Sequence, residues 1–138
     1  MYAVLKVLMI GVFATVISKS SLTFDGWSTP MLKGFYVVTI HFIDSATGKL
    51  YETILDFFYA PGGTGLGTRT GQYLAKLVKV FRIENKVLCT LNDNGADAVK
   101  ASQVFADTLE EEGCAVIPMD HLLRCFTHTS QIGWHFAF

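Results

Sequence analysis

At 138 residues the chain has the size of one domain and is long enough to bury a core. Eleven Lys plus Arg against twelve Asp plus Glu leave a net charge of −1, which excludes a chain that grips a phosphate backbone through charge alone, where the domain pI exceeds about 9. Three cysteines (Cys89, Cys114 and Cys125) do not make a disulfide framework, and a reducing compartment is the simpler setting.

Hydrophobic residues are 51% of the chain, and much of that excess lies in the first seventeen residues. Val7 to Ile17 are uncharged and follow Lys6. That run falls short of the roughly 18–20 residues needed to span a bilayer. It matches a signal-peptide core, with Val16-Ile17-Ser18 as a small-residue cleavage site. Residues 1–20 are therefore read first as an apolar segment packed in the domain, next as a signal peptide, and last as a membrane anchor. No membrane partner is favoured. Residues 21–138 form the domain proper.

Leu22 to Phe24 is a β-prone run with Asp25 at its far end, where Gly26 and Pro30 are expected to break the strand. An aspartate there reaches solvent or a metal at a sheet edge, or caps the next segment as a turn residue. Phe35 to Ile43 reads as a buried strand, Asp44 to Lys49 as a hairpin loop turned by Gly48, and Leu50 to Tyr59 as a third strand. Alternation places Tyr51, Thr53, Leu55 and Phe57 on one face of that strand. His41 reads as a half-buried sheet histidine. Ala60 to Gly67 holds four glycines and a proline. Glycine-rich turns at helix starts present amides to anions, but this one lacks the Lys-Ser/Thr ending of a phosphate-binding loop.

From Thr70 to Phe81 the period turns helical, with Tyr73, Leu74, Leu77, Val78 and Phe81 on one face and Lys76 and Lys79 outside. Lys86 to Asn92 is a fourth strand ending at Asp93-Asn94-Gly95, a second acid at a strand exit. A helix follows over Ala96 to Glu112, with Ala98, Ala101, Phe105 and Leu109 on one side and Glu110 to Glu112 as a solvated face. Cys114 to Met119 reads as a fifth strand, and His121 to Ile132 as a last helix.

The resulting order is β-β-β-α-β-α-β-α. A right-handed crossover through the first helix lets strand four lie parallel to strand one, so Asp25 and Asp93 stand at carboxyl ends of adjacent strands. Two carboxylates within about a nanometre suit a divalent metal through hard oxygen ligands. Paired metals clamp the attacking and leaving oxygens of a phosphodiester exchange. The expected fold is α/β, a ribonuclease-H-like mixed five-stranded sheet flanked by helices, whose chemistry uses a third acid.

The same residues carry a family resemblance. Thr23-Phe24-Asp25-Gly26-Trp27-Ser28-Thr29 resembles the T-x-D-G-W-T-S signature of hAT-superfamily DNA transposases. Arg69-Thr70-Gly71 stands where that family has His-Thr-Gly, and Asn92-Asp93-Asn94-Gly95-Ala96-Asp97 is similar to its T-D-N-A-x-N motif. Leu123-Arg124-Cys125-Phe126-Thr127-His128 resembles its R-C-x-x-H element. The resemblance implies an Asp-Asp-Glu core with Asp25 and Asp93 as catalytic, metal-binding acids and Mg²⁺ or Mn²⁺ as cofactor. It implies supporting roles for Trp27, Asn94, Asp97, Cys125 and His128, and nucleic-acid contacts for Arg69 and Arg124. Cys125 and His128 would share a helical face shaping the strand-transfer pocket. The other readings of that pair are ordinary helix residues or half a zinc site, and no zinc is expected.

The resemblance also has gaps. The family's glutamate lies far downstream, and its upstream zinc-finger module and carboxy-terminal dimerisation region have no counterpart here. Asp97 replaces an expected Asn; Asp97 and Asp120 are the carboxylates left to serve as third acid. The expectation is a truncated transposase core, inactive alone, with DNA as the ancestor's partner, the oligomerisation region absent and the nucleus as its location. The alternatives are a domesticated non-catalytic interaction module for nucleic acid or protein, and a small secreted protein if residues 1–18 are a signal.

Overall fold

The chain runs through helix α1 (Tyr2–Val16), strands β1 (Ile17–Ser28), β2 (Gly34–Asp44) and β3 (Leu50–Tyr59), helix α2 (Leu66–Val80), strand β4 (Val87–Asn92), helix α3 (Ala96–Glu111) and strand β5 (Leu122–Arg124). The computed structural model describes residues 2–28, 34–93, 95–114 and 122–125. The strands form one sheet in the order β3-β2-β1-β4-β5. β1, β2 and β3 form an antiparallel meander, and β4 adds parallel to β1 with β5 parallel to β4. This is the mixed α/β sheet the sequence led us to expect.

The core fills one side of that sheet. Leu22 and Phe24 of β1 and Val38, Ile40 and Phe42 of β2 are buried together with Leu74 and Val78 of α2 and Ala101, Phe105 and Leu109 of α3. The two helices approach closely because two glycines lie at their crossing. A Cβ on Gly67 would stand 2.6 Å from the Asp97 carbonyl oxygen, and one on Gly71 2.5 Å from that of Ala101. Both obstacles are backbone and cannot swing aside.

α1 is docked rather than free. Phe13 is buried with its ring 5.7 Å from Phe42 and 5.9 Å from Phe81. The Lys86 ammonium donates to the carbonyls of Phe13 (2.8 Å) and Ala14 (3.3 Å), setting a cation at the negative end of the helix. Its outer side leaves Val4, Val7 and Leu8 exposed. No helix among the described residues is long and apolar enough to cross a membrane.

The structure departs from the sequence reading in four places. First, Gly26 does not break β1, which continues to Ser28, so Asp25 lies inside a strand rather than at its exit. Gly26 pairs with Tyr36, whose ring lies where a Cβ would be (2.6 Å), so the glycine makes room for a cross-strand aromatic. Second, β3 carries an irregularity opposite Val38 and Thr39 that shifts its register. One extra residue reverses the alternation, so Leu55 is buried while Phe57 is 54% exposed.

Third, α2 starts at Leu66, behind Gly65 in the left-handed conformation (φ 79°), rather than at Thr70. Fourth, the expected helix from His121 is replaced over Leu122–Arg124 by β5, which pairs Thr90 with Leu122 and Asn92 with Arg124. The Cys125 amide extends this ladder by donating to the Asn92 carbonyl at 2.7 Å. Pairing satisfies β4 backbone groups that a helix there would leave open. Cys114 closes α3, its amide donating to the Leu109 carbonyl at 2.9 Å. The rest of the expected fifth strand and last helix lies outside the described residues.

Gly71→Ala is expected to lower stability by about 1–3 kcal/mol, the usual cost of overpacking a close contact. A urea melt that leaves the midpoint unchanged would contradict the tight α2–α3 crossing.

Candidate functional site

The site is set by the register of two parallel strands. Ser21 pairs with Cys89, Leu22 with Thr90 and Thr23 with Leu91. Asp25 lies two residues beyond Thr23, and Asp93 two beyond Leu91, so the acids stand at matching positions on neighbouring strands, Asp25 within β1 and Asp93 just past the end of β4. Asp25 is exposed and Asp93 half-buried. Beneath them β4 is fixed to α3: the Asn92 side-chain amide donates to Ser102 Oγ at 2.7 Å, and the Thr90 hydroxyl donates to the same atom at 3.2 Å.

The starts of α2 and α3 close around the same end of the sheet. Asp93 Oδ1 accepts the Gly95 amide at 2.9 Å, turning the chain into α3. Asp97, in the first turn of α3, accepts the Gly67 amide on Oδ1 at 3.2 Å and so ties the two helix starts together. Tyr36 of β2 reports on all three acids. Burial pushes its hydroxyl pKa above the usual 10, and the negative charges of Asp93, Asp97 and Asp25 push it further, in that order. The three carboxylates thus share one electrostatic neighbourhood around a tyrosine that the sequence reading did not single out. Its only sequence signal was a place in an apolar strand; the cross-strand register with Gly26 brings it here.

Trp27 is 46% exposed, with its ring 5.4 Å from that of Phe57 and 6.1 Å from that of Phe35. Trp27, Gly26, Tyr36, Gly62 and Leu66 line a cavity of about 220 Å³ at this end of the sheet. Arg69 is exposed, and its guanidinium donates to the carbonyls of Thr64 (2.6 Å) and Pro61 (2.9 Å), clasping the glycine-rich loop. Cys125 directly follows β5 and is half-buried, so it does not lie on a helix as expected; the strand pairing of Leu122–Arg124 excludes that placement. Asn94, Asp120 and His128 lie outside the described residues, as does the side chain of Arg124. His41 is the half-buried sheet histidine expected, with Nε2 3.1 Å from Thr23 Oγ1 and Nδ1 3.3 Å from Glu52.

The chemistry of the donors can be tested against a divalent ion. Among the described residues none hydrogen-bonds to the Asp25 carboxylate, while Asp93 and Asp97 each commit one oxygen to a backbone amide. Among the described residues no three His, Cys, Asp or Glu side chains gather closely enough to hold a metal ion.

A parallel β1–β4 pair bearing acids at matching positions, inside a β3-β2-β1-β4-β5 sheet, is the arrangement of a ribonuclease-like α/β domain. Residues 23–117 match the family model of the ZBED1 RNase-like domain, and the chain belongs to that family. It is also similar to a protein of Talaromyces stipitatus named "Putative transcriptional regulator tpeD", with 27% identity over 116 residues. That match covers 83% of this chain and 13% of the relative, so the chain spans only a small part of the relative's length.

In a spectrophotometric titration, one of the five tyrosines is expected to ionise above the ordinary value and to vanish in Tyr36→Phe. Asp93→Asn should lower that transition more than Asp25→Asn does. Because the folded pKa is raised, the hydroxyl's stabilising contribution is complete below about pH 10 and is lost as pH rises through the folded value. Alkaline melts of Tyr36→Phe should therefore flatten, and a Tyr36 transition indifferent to Asp93 would separate the acids from this cluster.

Proposed function

We propose that this chain is the ribonuclease-like core module of a hAT-derived protein that acts on DNA in the nucleus. In this reading Asp25 and Asp93 are the surviving pair of metal-binding acids, and the ancestral reaction was DNA cleavage and strand transfer. The observation that carries the reading is the β1–β4 register, which sets the two acids at equivalent positions on adjoining strands. Family membership and a relative named as a transcriptional regulator support a nucleic-acid-related role.

Asp25 and Asp93 would hold one Mg²⁺ or Mn²⁺ through their free oxygens. When bound, such an ion supplies charge stabilisation to phosphodiester oxygens. The chain's own part is positional: the strand pairing fixes the distance between the acids, and the Gly95 amide orients Asp93. In this reading the module does not cut DNA by itself. The relative named as a transcriptional regulator favours a second reading, a domesticated module that binds nucleic acid or protein without metal.

Purified chain incubated with supercoiled plasmid and Mg²⁺ or Mn²⁺ is expected to leave the plasmid intact. Robust nicking that Asp25→Ala abolishes would overturn the claim of inactivity. Mn²⁺ titration separates the two readings. Binding that is lost in both Asp25→Asn and Asp93→Asn, and that lowers the Tyr36 transition, supports the metal pair; absence of binding supports the metal-free module.

A further inference from the structure

A second cavity, of about 350 Å³, opens where α1, α2 and the edge strand β3 meet, away from the acid pair. Phe58, Leu77 and Val80 give it apolar walls, and Lys6 of α1 and Lys76 of α2 stand at its lining. Its one acid, Asp56, is already engaged on both oxygens: the Phe57 amide donates to Oδ1 at 2.8 Å and the Tyr73 hydroxyl donates to Oδ2. Neither lysine has a carboxylate within ion-pair distance among the described residues, whereas Lys79 one turn on is paired with Glu112 at 2.5 Å. Lys6 is half-buried, with its ammonium 6.0 Å from the centre of the Phe81 ring.

We infer that this cleft binds a small amphipathic carboxylate, such as a medium-chain fatty acid, with its chain between α1, α2 and β3 and its head between Lys6 and Lys76. The volume lies within the range of small-molecule sites, which pair mostly apolar walls with a few placed polar groups. Charge decides the sign of the ligand. A partly desolvated cation without a partner is costly, so an anion is favoured over a neutral or cationic head of the same length. The apolar walls of Phe58, Leu77 and Val80 favour an alkyl tail. The inference does not depend on the metal pair or on DNA binding.

Decanoate, titrated below its micelle concentration into the full chain and followed by calorimetry and amide chemical shifts, tests it. Saturable binding is expected, with shifts centred on residues 73–80. The Lys6→Ala/Lys76→Ala double variant should bind at least about tenfold more weakly, a loss of about 1.4 kcal/mol. Val80→Asp, on an exposed position of the wall, should weaken binding similarly while the amide spectrum keeps the native fold. Decanol and decyltrimethylammonium should bind more weakly than decanoate. Equal or tighter binding of either one, affinity unchanged in the double variant, shifts centred on Trp27 and Leu123, or no binding at all would overturn the assignment.

Discussion

The structure depends on the parallel pairing of β1 with β4. Everything else about the acid site follows from it, because the two strands come from opposite halves of the chain and are joined through α2. β1 is already paired on its other edge with β2, so its backbone groups are satisfied only when β4 takes the open side. A parallel neighbour needs a long crossover, and α2 supplies it while burying its own apolar face on the sheet. A shift of one residue in this pairing would turn Asp25 and Asp93 toward opposite faces. The site is a consequence of register before it is a consequence of side-chain chemistry.

The second constraint is how close α2 and α3 come. Gly67 and Gly71 remove the side chains that would hold the helices apart, and their neighbours are backbone carbonyls of α3. The approach lets the Gly67 amide reach Asp97, which couples the packing of the helices to the electrostatics at the strand tips. A tight crossing therefore does two jobs. It seals the core over Phe105 and Leu109, and it fixes the start of α3 beside Asp93.

Much of this was legible in the sequence, for identifiable reasons. The long apolar strand at Phe35 to Ile43, the helical period around Leu74 to Val78 and the motif acids Asp25 and Asp93 all carry strong local signals. What was hidden depends on distant partners. Gly26 reads as a breaker until Tyr36 lies across it, and the exposure of Phe57 is invisible until β3 gains its irregularity. Leu122 to Arg124 is a short apolar run that suits helix or strand equally; only the open edge of β4 decides it. Tyr36 belongs to the same class, since its nearness to three carboxylates arises across strands and helix starts, not along the chain.

Asp97 is the described residue on which a third-acid argument would turn, and its position already gives it a part in packing. Its Oδ1 is held by the Gly67 amide, and its place in the first turn of α3 is where a negative charge offsets the helix dipole. Both interactions serve packing. Drawing this carboxylate toward an ion between Asp25 and Asp93 would release an amide at the start of α2 and loosen the junction that positions Asp93. Asp93 is held in the same way, its Oδ1 accepting the Gly95 amide where the chain turns from β4 into α3. The same physical test, whether a side chain's existing partner must be broken for it to act, sets Asp25 apart from Asp93 and Asp97, each of which already holds a backbone amide at the start of a helix.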